Sequence, residues 1–385
     1  MLTCKYSKFS LPENVTYLNC SYMAPLLKSV EKAGIRGVRR KRNPVEIRPE
    51  DFFTGSEALR AEFAKLVNVK DPRSIAIIPS VSYGVSAVAK NLTLRGGDEI
   101  IVAAEQFPSN YYPWETVTRE SGARLHAVAP EKALNDRGKI WNEKILSAIT
   151  AKTRAVAIAH THWADGTKFD LGAIRKRTRE VGALLVIDGT QSVGALPFNV
   201  GEIKPDALVC AGYKWLLGPY SIGVAYFGEH FNQGKPLEEN WINRLNSEDF
   251  AALVSYEPEY QPGALRFDAG ERSNFILVPM LQTAIAQLNR WHVPDIQEYC
   301  QQITMEAIAV IKELGCWIED PPFRAHHLFG IRLPAEANIS KIKESLLRNR
   351  IYVSFRGDAI RVSPNVYNDK ADMLKLANVL KRALK

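Results

Sequence analysis

Residues 183–218 read ALLVIDGTQSVGALPFNVGEIKPDALVCAGYKWLLG. Residues 184–187 form a short apolar run bounded by Asp188 and Gly189, so they predict a buried strand that ends at an acid. Residues 207–210 form a second apolar run, which breaks at a small-residue pair before Tyr213 and Lys214. The spacing therefore predicts an aspartate and a lysine at the carboxyl ends of two neighbouring strands.

Ligands of open parallel sheets bind outside the carboxyl ends of the strands. A lysine amine and a carboxylate held there suit pyridoxal phosphate (PLP), because the amine forms a Schiff base with its aldehyde and the carboxylate keeps its pyridine nitrogen protonated. Taken singly, such an aspartate is most often a turn or helix-cap residue, and such a lysine is usually solvated. The combination predicts PLP as the cofactor, with Lys214 and Asp188 as catalytic residues.

The two segments 186–200 and 205–227 resemble the cofactor region of class V aminotransferases. This PLP-dependent family also contains cysteine desulfurases, kynureninase and isopenicillin N epimerase-like enzymes. The residues that match its pattern are Asp188, Gln191, Lys214, Gly218 and Pro219. The chain differs at Tyr213, where many relatives carry histidine, but a phenol can still donate a hydrogen bond to a phosphate. The resemblance implies an α/β protein of PLP-dependent fold type I, with a large, mostly parallel seven-stranded sheet domain and a smaller α/β domain.

The chain has 385 residues, of which 46% are hydrophobic and 24% charged, which is enough for a sizeable core and two domains. We expect residues 19–274 to form the large PLP-binding domain, and residues 1–18 and 275–385 to form the small one. No apolar run reaches the ~18 residues of a membrane span, and the first residues lack the apolar stretch of a signal peptide. We therefore expect a cytoplasmic protein without a membrane partner, and the resemblance implies a homodimer with shared active sites.

The net charge of +8 is moderate and suits an anionic cofactor and substrate. The densest basic run, at residues 39–42, has no interleaved aromatic side chains, so a solvated helix end is favoured over a nucleic-acid site. The five cysteines are widely spread and include no CxxC pair, which predicts reduced thiols.

A phosphate site is predicted where residues 74–78, a strand ended by Pro79, lead into the helix that SVSYG opens. A strand, a small-residue turn and a helix start place free backbone N–H groups and the positive end of a helix dipole at one sheet edge. The resemblance assigns Ser82, with Val81 and Tyr83, to the cofactor phosphate. The alternative is a plain serine-capped helix.

The strand predicted at residues 99–103 leads into AEQFPSN, where relatives carry a histidine that stacks on the cofactor ring. Phe107 is our candidate for that lid, and an ordinary core phenylalanine is the alternative. The strand predicted at residues 154–159 leads into HTHWADG, where His160, His162 and Asp165 raise the question of a metal site. No third histidine lies at ligand spacing, so we expect no metal, and the resemblance places His162 near the cofactor's ring oxygen.

The sequence GERSN at residues 270–274 resembles the loop through which a neighbouring subunit reaches the phosphate in this family. Arg272 and Ser273 are its candidate contacts, and an exposed arginine salt bridge is the alternative. In the amino-terminal segment, residues 17–25, which in relatives lines the substrate pocket, Asn19 is a candidate substrate contact.

Substrate binding is predicted from SFRGDAIRVSPNVYN, residues 354–368. In the class V family an arginine followed by Ser or Ala and then a Tyr-Asn pair binds the substrate carboxylate through a bidentate contact. The residues that match are Arg361, Ser363, Tyr367 and Asn368, with Arg356 as an assisting group. Persulfide-forming cysteine desulfurases carry a nucleophilic cysteine just before this arginine, and residues 351–361 contain none, which disfavours that activity.

The remaining pattern predicts helices at residues 26–41, 54–68 with Ser56 as a candidate cap, 275–291, 294–315, 340–348 and from 370. It predicts further strands at 327–333, 351–355 and 359–362, with loops over 228–274. Together these features predict a PLP-dependent enzyme that acts at Cα or Cβ of an amino acid through a lysine Schiff base, as an aminotransferase, an epimerase or a C–S or C–C lyase. The alternative is a non-catalytic ligand-binding or regulatory protein on the same fold.

Overall fold

The structure, a computed structural model, describes residues 2–384. Its helices are α1 (Lys28–Arg40), α2 (Asp51–Leu66), α3 (Val81–Lys90), α4 (Tyr112–Ser121), α5 (Arg137–Ala148), α6 (Leu171–Val181), α7 (Val200–Ile203), α8 (Leu277–Trp291), α9 (Val293–Glu313), α10 (Ile339–Arg348) and α11 (Lys370–Ala383). Its strands are β1 (Thr16–Tyr17), β2 (Ile75–Ile78), β3 (Glu99–Ala103), β4 (Arg124–Val128), β5 (Thr153–Ala159), β6 (Leu184–Asp188), β7 (Ala207–Ala211), β8 (Gly223–Phe227), β9 (Phe329–Arg332), β10 (Ile351–Tyr352), β11 (Ser354–Arg356) and β12 (Ala359–Val362).

The large sheet has seven strands in the order β2-β8-β7-β6-β5-β3-β4. Strand β8 runs antiparallel to both of its neighbours, and the other pairs are parallel. Helices cover both faces, so the central strands are buried along nearly their whole length, as their continuous apolar runs predict. The α/β fold with a large, mostly parallel seven-stranded sheet is confirmed.

Strands β6 and β7 are parallel neighbours, with Asp188 opposite Val209. The chain leaves β7 through a turn in which the Leu217 N–H donates to the Lys214 carbonyl at 3.0 Å. Gly194 lies against this turn with φ of +102°, and a Cβ there would meet the Trp215 carbonyl. Two adjacent strand ends therefore hold Asp188 and Lys214 at one edge of the sheet, as predicted.

The carboxyl-terminal third forms a second, smaller layered unit. Its three-stranded antiparallel sheet has the order β11-β12-β9, and β1 pairs in parallel with β10. Helices α9, α10 and α11 share a hydrophobic cluster with these strands. Helix α8 instead packs on α1 and α2, in the cluster that also covers the large sheet. The domain division at residues 18/19 and 274/275 stays a prediction.

The predicted start of α2 differs from the structure. The helix predicted at residues 54–68 begins at Asp51, and Ser56 is buried inside it, so the proposed cap at Ser56 is wrong. Residues 228–274 contain loops and short 3₁₀ turns, as expected. Within residues 2–384, no helix has the length and apolar character needed to cross a membrane.

Candidate active site

Lys214 lies just beyond the end of β7 and is 5% exposed. Its Nζ lies 5.1 Å from the ring centre of Phe107 and 5.4 Å from that of Tyr213. Burial lowers the pKa of the Lys214 amine to about 8, and the cations of Arg361 and Arg356 act in the same direction, while Asp188 opposes them. The amine therefore carries less positive charge at neutral pH than an exposed lysine.

Asp188 ends β6 and is 7% exposed. The Thr190 N–H donates to its Oδ1 at 2.9 Å. Burial raises the pKa of the carboxyl, and the Thr190 hydrogen bonds and the Lys214 charge only partly offset this effect. Across the described residues, no lysine, arginine or histidine nitrogen comes within 4.0 Å of this carboxylate.

Lys214 and Asp188 line one narrow cavity. The other walls come from side chains at the ends of neighbouring strands, chiefly Gln106, Phe107, Trp163 and Gln191. Phe107 is 36% exposed and packs edge-on against Trp163 at 5.5 Å. The structure thus brings the predicted lid residue to the predicted amine, and its stacking role stays a prediction.

The start of α3 follows β2 at the same edge of the sheet. Ser80 is its N-cap, and the Ser80 hydroxyl accepts the Tyr83 N–H at 3.1 Å. The hydroxyls of Ser80 and Ser82 lie 2.9 Å apart. The N–H groups of Val81 and Ser82 belong to the first turn, where a helix offers them no internal acceptor. They lie at the positive end of the helix dipole. Sequence reasoning named Ser82 and missed Ser80, although a serine directly after Pro79 is a typical cap signal.

These groups fit PLP. A buried carboxylate without a cation matches a protonated ring nitrogen, and a buried amine with a lowered pKa matches an aldehyde. Strands β2 and β7 run in the same direction, and α3 follows the carboxyl end of β2 and packs on β7, so the start of α3 and the Lys214 amine lie at one edge of the sheet. Asp188 would hold the ring nitrogen, Lys214 the aldehyde carbon, and the first turn of α3 the phosphate.

Arg361 lies on β12 and is 2% exposed. One of its N–H groups donates to the Trp163 carbonyl at 3.0 Å, and its buried Nε lacks a hydrogen-bond partner. Burial lowers the pKa of the guanidinium to about 9, and the charge of Arg356 adds to this effect. An arginine held this way beside Lys214 has donors left for a carboxylate.

Other predicted substrate residues lie where the amino-terminal segment meets the small sheet. The Asn19 side-chain oxygen accepts the Ser354 hydroxyl at 2.8 Å, and its backbone bridges to Ser363. The Ser21 hydroxyl donates to the Ser363 hydroxyl at 2.9 Å. Tyr367 is buried, and its hydroxyl has no partner within the described chain. These contacts position the amino-terminal segment against β12, and the substrate role of Asn19 stays a prediction.

Gln191 is fixed at both ends of its side chain. Its Nε2 donates to the Ser21 carbonyl at 3.1 Å, and its Oε1 accepts the Trp215 indole N–H at 3.0 Å. Burial raises the pKa of Tyr213 to about 12, so its phenol remains a hydrogen-bond donor at neutral pH. The cofactor contacts assigned to these two residues remain predictions.

His162 lies in a different, fully buried cluster. Its Nδ1 is 3.0 Å from the Asp165 carboxylate, and its Nε2 is 3.1 Å from the Glu105 carbonyl oxygen. Both ring nitrogens are thus engaged within the chain, and the assignment to the cofactor's ring oxygen gains no support from these contacts. Residues 2–384 contain no group of three or more His, Cys, Asp or Glu side chains arranged to hold a metal.

The predicted subunit-contact pair is also held inside the chain. Arg272 is 5% exposed, and its Nε lies 2.8 Å from the Asp268 carboxylate, which also pairs with Arg60. The Ser273 hydroxyl donates to the Phe52 carbonyl. A buried Nη1 of Arg272 has no partner among the described residues. The exposed salt bridge considered as the alternative is not what the structure shows, and the phosphate role stays a prediction.

Comparison with known proteins supports the same cofactor. The sequence model of the family described as "Aminotransferase class-V" matches residues 42–372. The chain belongs to the class V aminotransferase family. It is therefore a PLP-dependent enzyme, as the residues around Lys214 predict.

Proteins similar to this class V enzyme include an uncharacterised aminotransferase, cysteine desulfurases and a cystine C–S lyase. The uncharacterised aminotransferase YcbU of Bacillus subtilis is 26% identical over 319 residues, which cover 83% of this chain and 81% of that protein. A cysteine desulfurase of an Enterobacter species is 26% identical over 256 residues, which cover 66% of this chain and 61% of that protein.

The solved structure of the Escherichia coli cysteine desulfurase CsdA matches with a TM-score of 0.82 at 21% identity, over 98% of this chain and 97% of that chain. The cystine C–S lyase C-DES has a TM-score of 0.85 at 20% identity and covers 95% of this chain and 97% of its own. At these identities the structures establish a shared fold.

Besides Ser80, two residues of the class V enzyme's site were missed by sequence reasoning. Trp163 lies against Phe107, Arg356 and Arg361. Thr190 holds the Asp188 carboxylate, and its hydroxyl accepts the Ala211 N–H at 3.2 Å. Thr190 follows the strand-ending acid by two residues, which is the spacing of an Asx turn and a usable signal.

Proposed function

We propose that the enzyme acts on the α-amino group and the Cα bonds of an amino acid, with Lys214 as the residue that holds the cofactor and moves the proton. The observation that carries this proposal is the placement of the Lys214 amine and the Asp188 carboxylate in one buried cavity. Arg361, on β12 of the small sheet, is close enough for its charge to act on the amine. When bound, PLP supplies an aldehyde that takes up an amine and a ring that accepts electrons released at Cα.

The residues of the chain divide the remaining work. Asp188 would pair with a positive ring nitrogen, and burial would strengthen this contact because water does not compete. Arg361 orients the substrate carboxylate through its fork of N–H groups. The Lys214 amine, with a pKa of about 8, can both take and give a proton near neutral pH. Transamination, epimerisation and β-elimination all begin with removal of the Cα proton, so the place to which that proton returns, or the loss of a group from Cβ, would distinguish them.

The persulfide-forming desulfurase reaction is disfavoured by the cysteines. Cys20 influences the pKa of Lys214 electrostatically, but it is fully buried, and burial raises its own pKa to about 12. Cys316 lies in the hydrophobic cluster of the smaller sheet. A thiol held in the protonated form is a poor nucleophile. We therefore favour an aminotransferase, an epimerase or a lyase that needs no enzyme cysteine.

We also propose that the enzyme is a homodimer with active sites at the subunit boundary. Large apolar side chains are exposed on one stretch of the chain: Tyr22 is 57% exposed, Ile35 43% and Val38 58%. Tyr22 is in the segment that packs against the site, so a partner covering this surface would reach the cavity mouth. Light scattering coupled to size exclusion should give twice the chain mass.

The function is tested by trapping the cofactor. We expect the purified protein, supplied with PLP, to be yellow and, after borohydride reduction, to carry the cofactor mass on the peptide that contains Lys214. Lys214→Ala should abolish the adduct. Lys168→Ala is a matched control, because Lys168 is half-buried and likewise has a pKa lowered by burial, but lies outside the cavity.

An amino-acid screen then identifies the reaction. Substrates should change the absorption of the bound cofactor, and mass spectrometry of the products separates keto acids, epimers and eliminated fragments. Protein that takes up no PLP, or that keeps its adduct after Lys214→Ala, would contradict the proposal.

A further inference from the structure

Two arginines lie against one indole at the mouth of the cavity. The guanidinium carbon of Arg356 is 5.6 Å from the ring centre of Trp163, and that of Arg361 is 5.9 Å from the same ring. Trp163 also borders the cavity that Lys214 and Asp188 line. Both guanidinium groups therefore face the place where a substrate's side chain would extend.

The strand register explains why the two arginines share a face. In the antiparallel pair of β11 and β12, Arg356 is opposite Ala359, and Arg361 is opposite Ser354. Because side chains alternate along a strand, Arg361 is on the same face as Ala359 and hence as Arg356. The two are diagonal neighbours, whose Cα atoms lie about 7–8 Å apart in such a pair. The two side chains therefore reach the same indole from different strands.

Neither arginine is neutralised within the described chain. Arg356 donates to the Phe355 carbonyl at 2.8 Å, and the nearby Asp358 carboxylate pairs with Arg332 instead. Arg361 gives one N–H to the Trp163 carbonyl and keeps a buried Nε without a partner. Asp188 is the one carboxylate that lines the cavity, and its assigned partner is the cofactor ring nitrogen. The site thus holds more positive than negative charge.

We propose that Arg361 binds the α-carboxylate and Arg356 binds a second anionic group on the side chain, so that the substrates are α-amino acids with an acidic side chain. This inference rests on the proposed function. The fork of a single buried arginine suffices for one carboxylate, which leaves Arg356 for the other. The indole of Trp163 between them offers an apolar surface to the methylene groups that join the two carboxylates.

The test compares acids with their amides. We would measure kcat/KM for L-aspartate and L-glutamate against L-asparagine and L-glutamine, which differ in the side-chain charge but hardly in size. The wild type should prefer the acids. Arg356→Gln should lose about tenfold to a hundredfold on the acids, as expected for a charged hydrogen bond, and should change little on the amides. Arg356→Lys should restore part of the loss, because it keeps the charge without the fork.

Arg348→Gln is the matched control. Arg348 lies on α10, is 78% exposed in its side chain and pairs with Glu344, so the same substitution there should leave every rate unchanged. A second readout does not need turnover. Succinate should bind more tightly than butyrate by calorimetry, to protein with and without PLP, and Arg356→Gln should erase the difference.

The outcomes separate the two proposals. Equal losses on acids and amides would show that Arg356 shares the α-carboxylate, and a wild type without preference between succinate and butyrate would exclude a second anion site. Either result overturns the inference and leaves the cofactor assignment intact. Failure of PLP to label Lys214 would instead overturn the proposed function, whereas a succinate preference in that protein would still support the arginine pair.

Discussion

The charge on the Lys214 amine depends on the side chains around its cavity. Burial is the largest influence on its pKa, Arg361 and Arg356 lower it further, and Asp188 and Cys20 raise it. The neutral amine is the form that attacks an aldehyde. The rate at which the apoenzyme takes up PLP should therefore rise with pH and level off above about 8.

Two substitutions should shift the midpoint of this pH dependence of PLP uptake in opposite directions. Asp188→Asn removes a negative charge, so the pKa of Lys214 should fall and the midpoint should shift to lower pH. Arg361→Gln removes a positive charge, so the midpoint should shift to higher pH. Stopped-flow absorbance at a series of pH values measures both. Shifts in the same direction would mean that the two charges do not act on the amine through space.

At the scale of single residues, the sequence predicts the side chains that directly follow a strand. It does not predict side chains whose role depends on packing between distant parts of the chain. Asp188 and Lys214 could be found because each follows a short apolar run, and the order of β6 and β7 brings them together. Trp163 was missed because it contacts Arg356 on β11 and Arg361 on β12, two strands that lie far away in the chain. Pairing of this kind is not visible in a local window.

The turn after β7 depends on a close approach at Gly194. Its φ of +102° belongs to a region that favours glycine, and a Cβ would meet the Trp215 carbonyl, directly after Lys214. Gly194→Ala should therefore cost about 2–5 kcal/mol, since backbone strain and overpacking add. Urea unfolding measures the loss, and weaker retention of PLP should accompany it.

Gly182→Ala separates the cost of backbone strain from the cost of a steric contact. Gly182 ends α6 with φ of +72°, and a Cβ there meets nothing within 4 Å. We expect a cost of about 1–2 kcal/mol from the conformation alone. Equal costs at Gly182 and Gly194 would contradict the proposed contact with the turn that carries Lys214.

Among the elements, strands buried on both faces were predicted almost residue for residue, whereas β4 and β8 were missed. Strand β4 lies at the sheet edge, where four of its five residues are exposed or half-buried, and its residues RLHAV lack a continuous apolar run. Strand β8 is buried and apolar along most of its length, so it was missed although its sequence carries the same signal, and its antiparallel direction is decided by tertiary pairing. The edge strand lacks the signal that continuous burial leaves in a sequence.

The two sheets are connected by a buried charge cluster around Asp165. Its carboxylate lies 3.4 Å from Arg137 on α5 and 3.1 Å from Arg332 on β9, and it contacts the His162 ring. Burial alone would raise the pKa of this carboxyl, but the His162 and Arg137 charges and the Thr167 hydrogen bond together lower it. The cluster therefore stabilises the position of the small sheet against the large one.

Asp165→Asn should lower the free energy of unfolding by about 3–5 kcal/mol at pH 7, because it leaves buried arginines without a counter-charge. The folded carboxyl has a pKa below the unfolded value of about 3.9, so its contribution is present above that pH and is lost as the pH falls below it. The gap between wild type and variant, measured by urea unfolding, should narrow below about pH 4. A gap that is constant with pH would contradict this account.

The five cysteines should differ in reactivity across the whole molecule. Cys4 is exposed, and Cys20, Cys210, Cys300 and Cys316 are buried, with pKa values raised by burial. A thiol reagent such as Ellman's should titrate one group rapidly in the native protein and five after denaturation. Rapid reaction of a second native thiol would show that a buried cysteine is open to solvent.

The amino-terminal segment completes the site through partners that include residues near the other end of the chain. Thr16 and Tyr17 pair with Ile351 and Tyr352, and Asn19 bridges to Ser363. During synthesis these early residues must wait until nearly the whole polypeptide has been made. Contacts so distant in sequence close slowly. A nascent chain can thus assemble the large sheet before it has a substrate pocket, so catalytic competence should arise last.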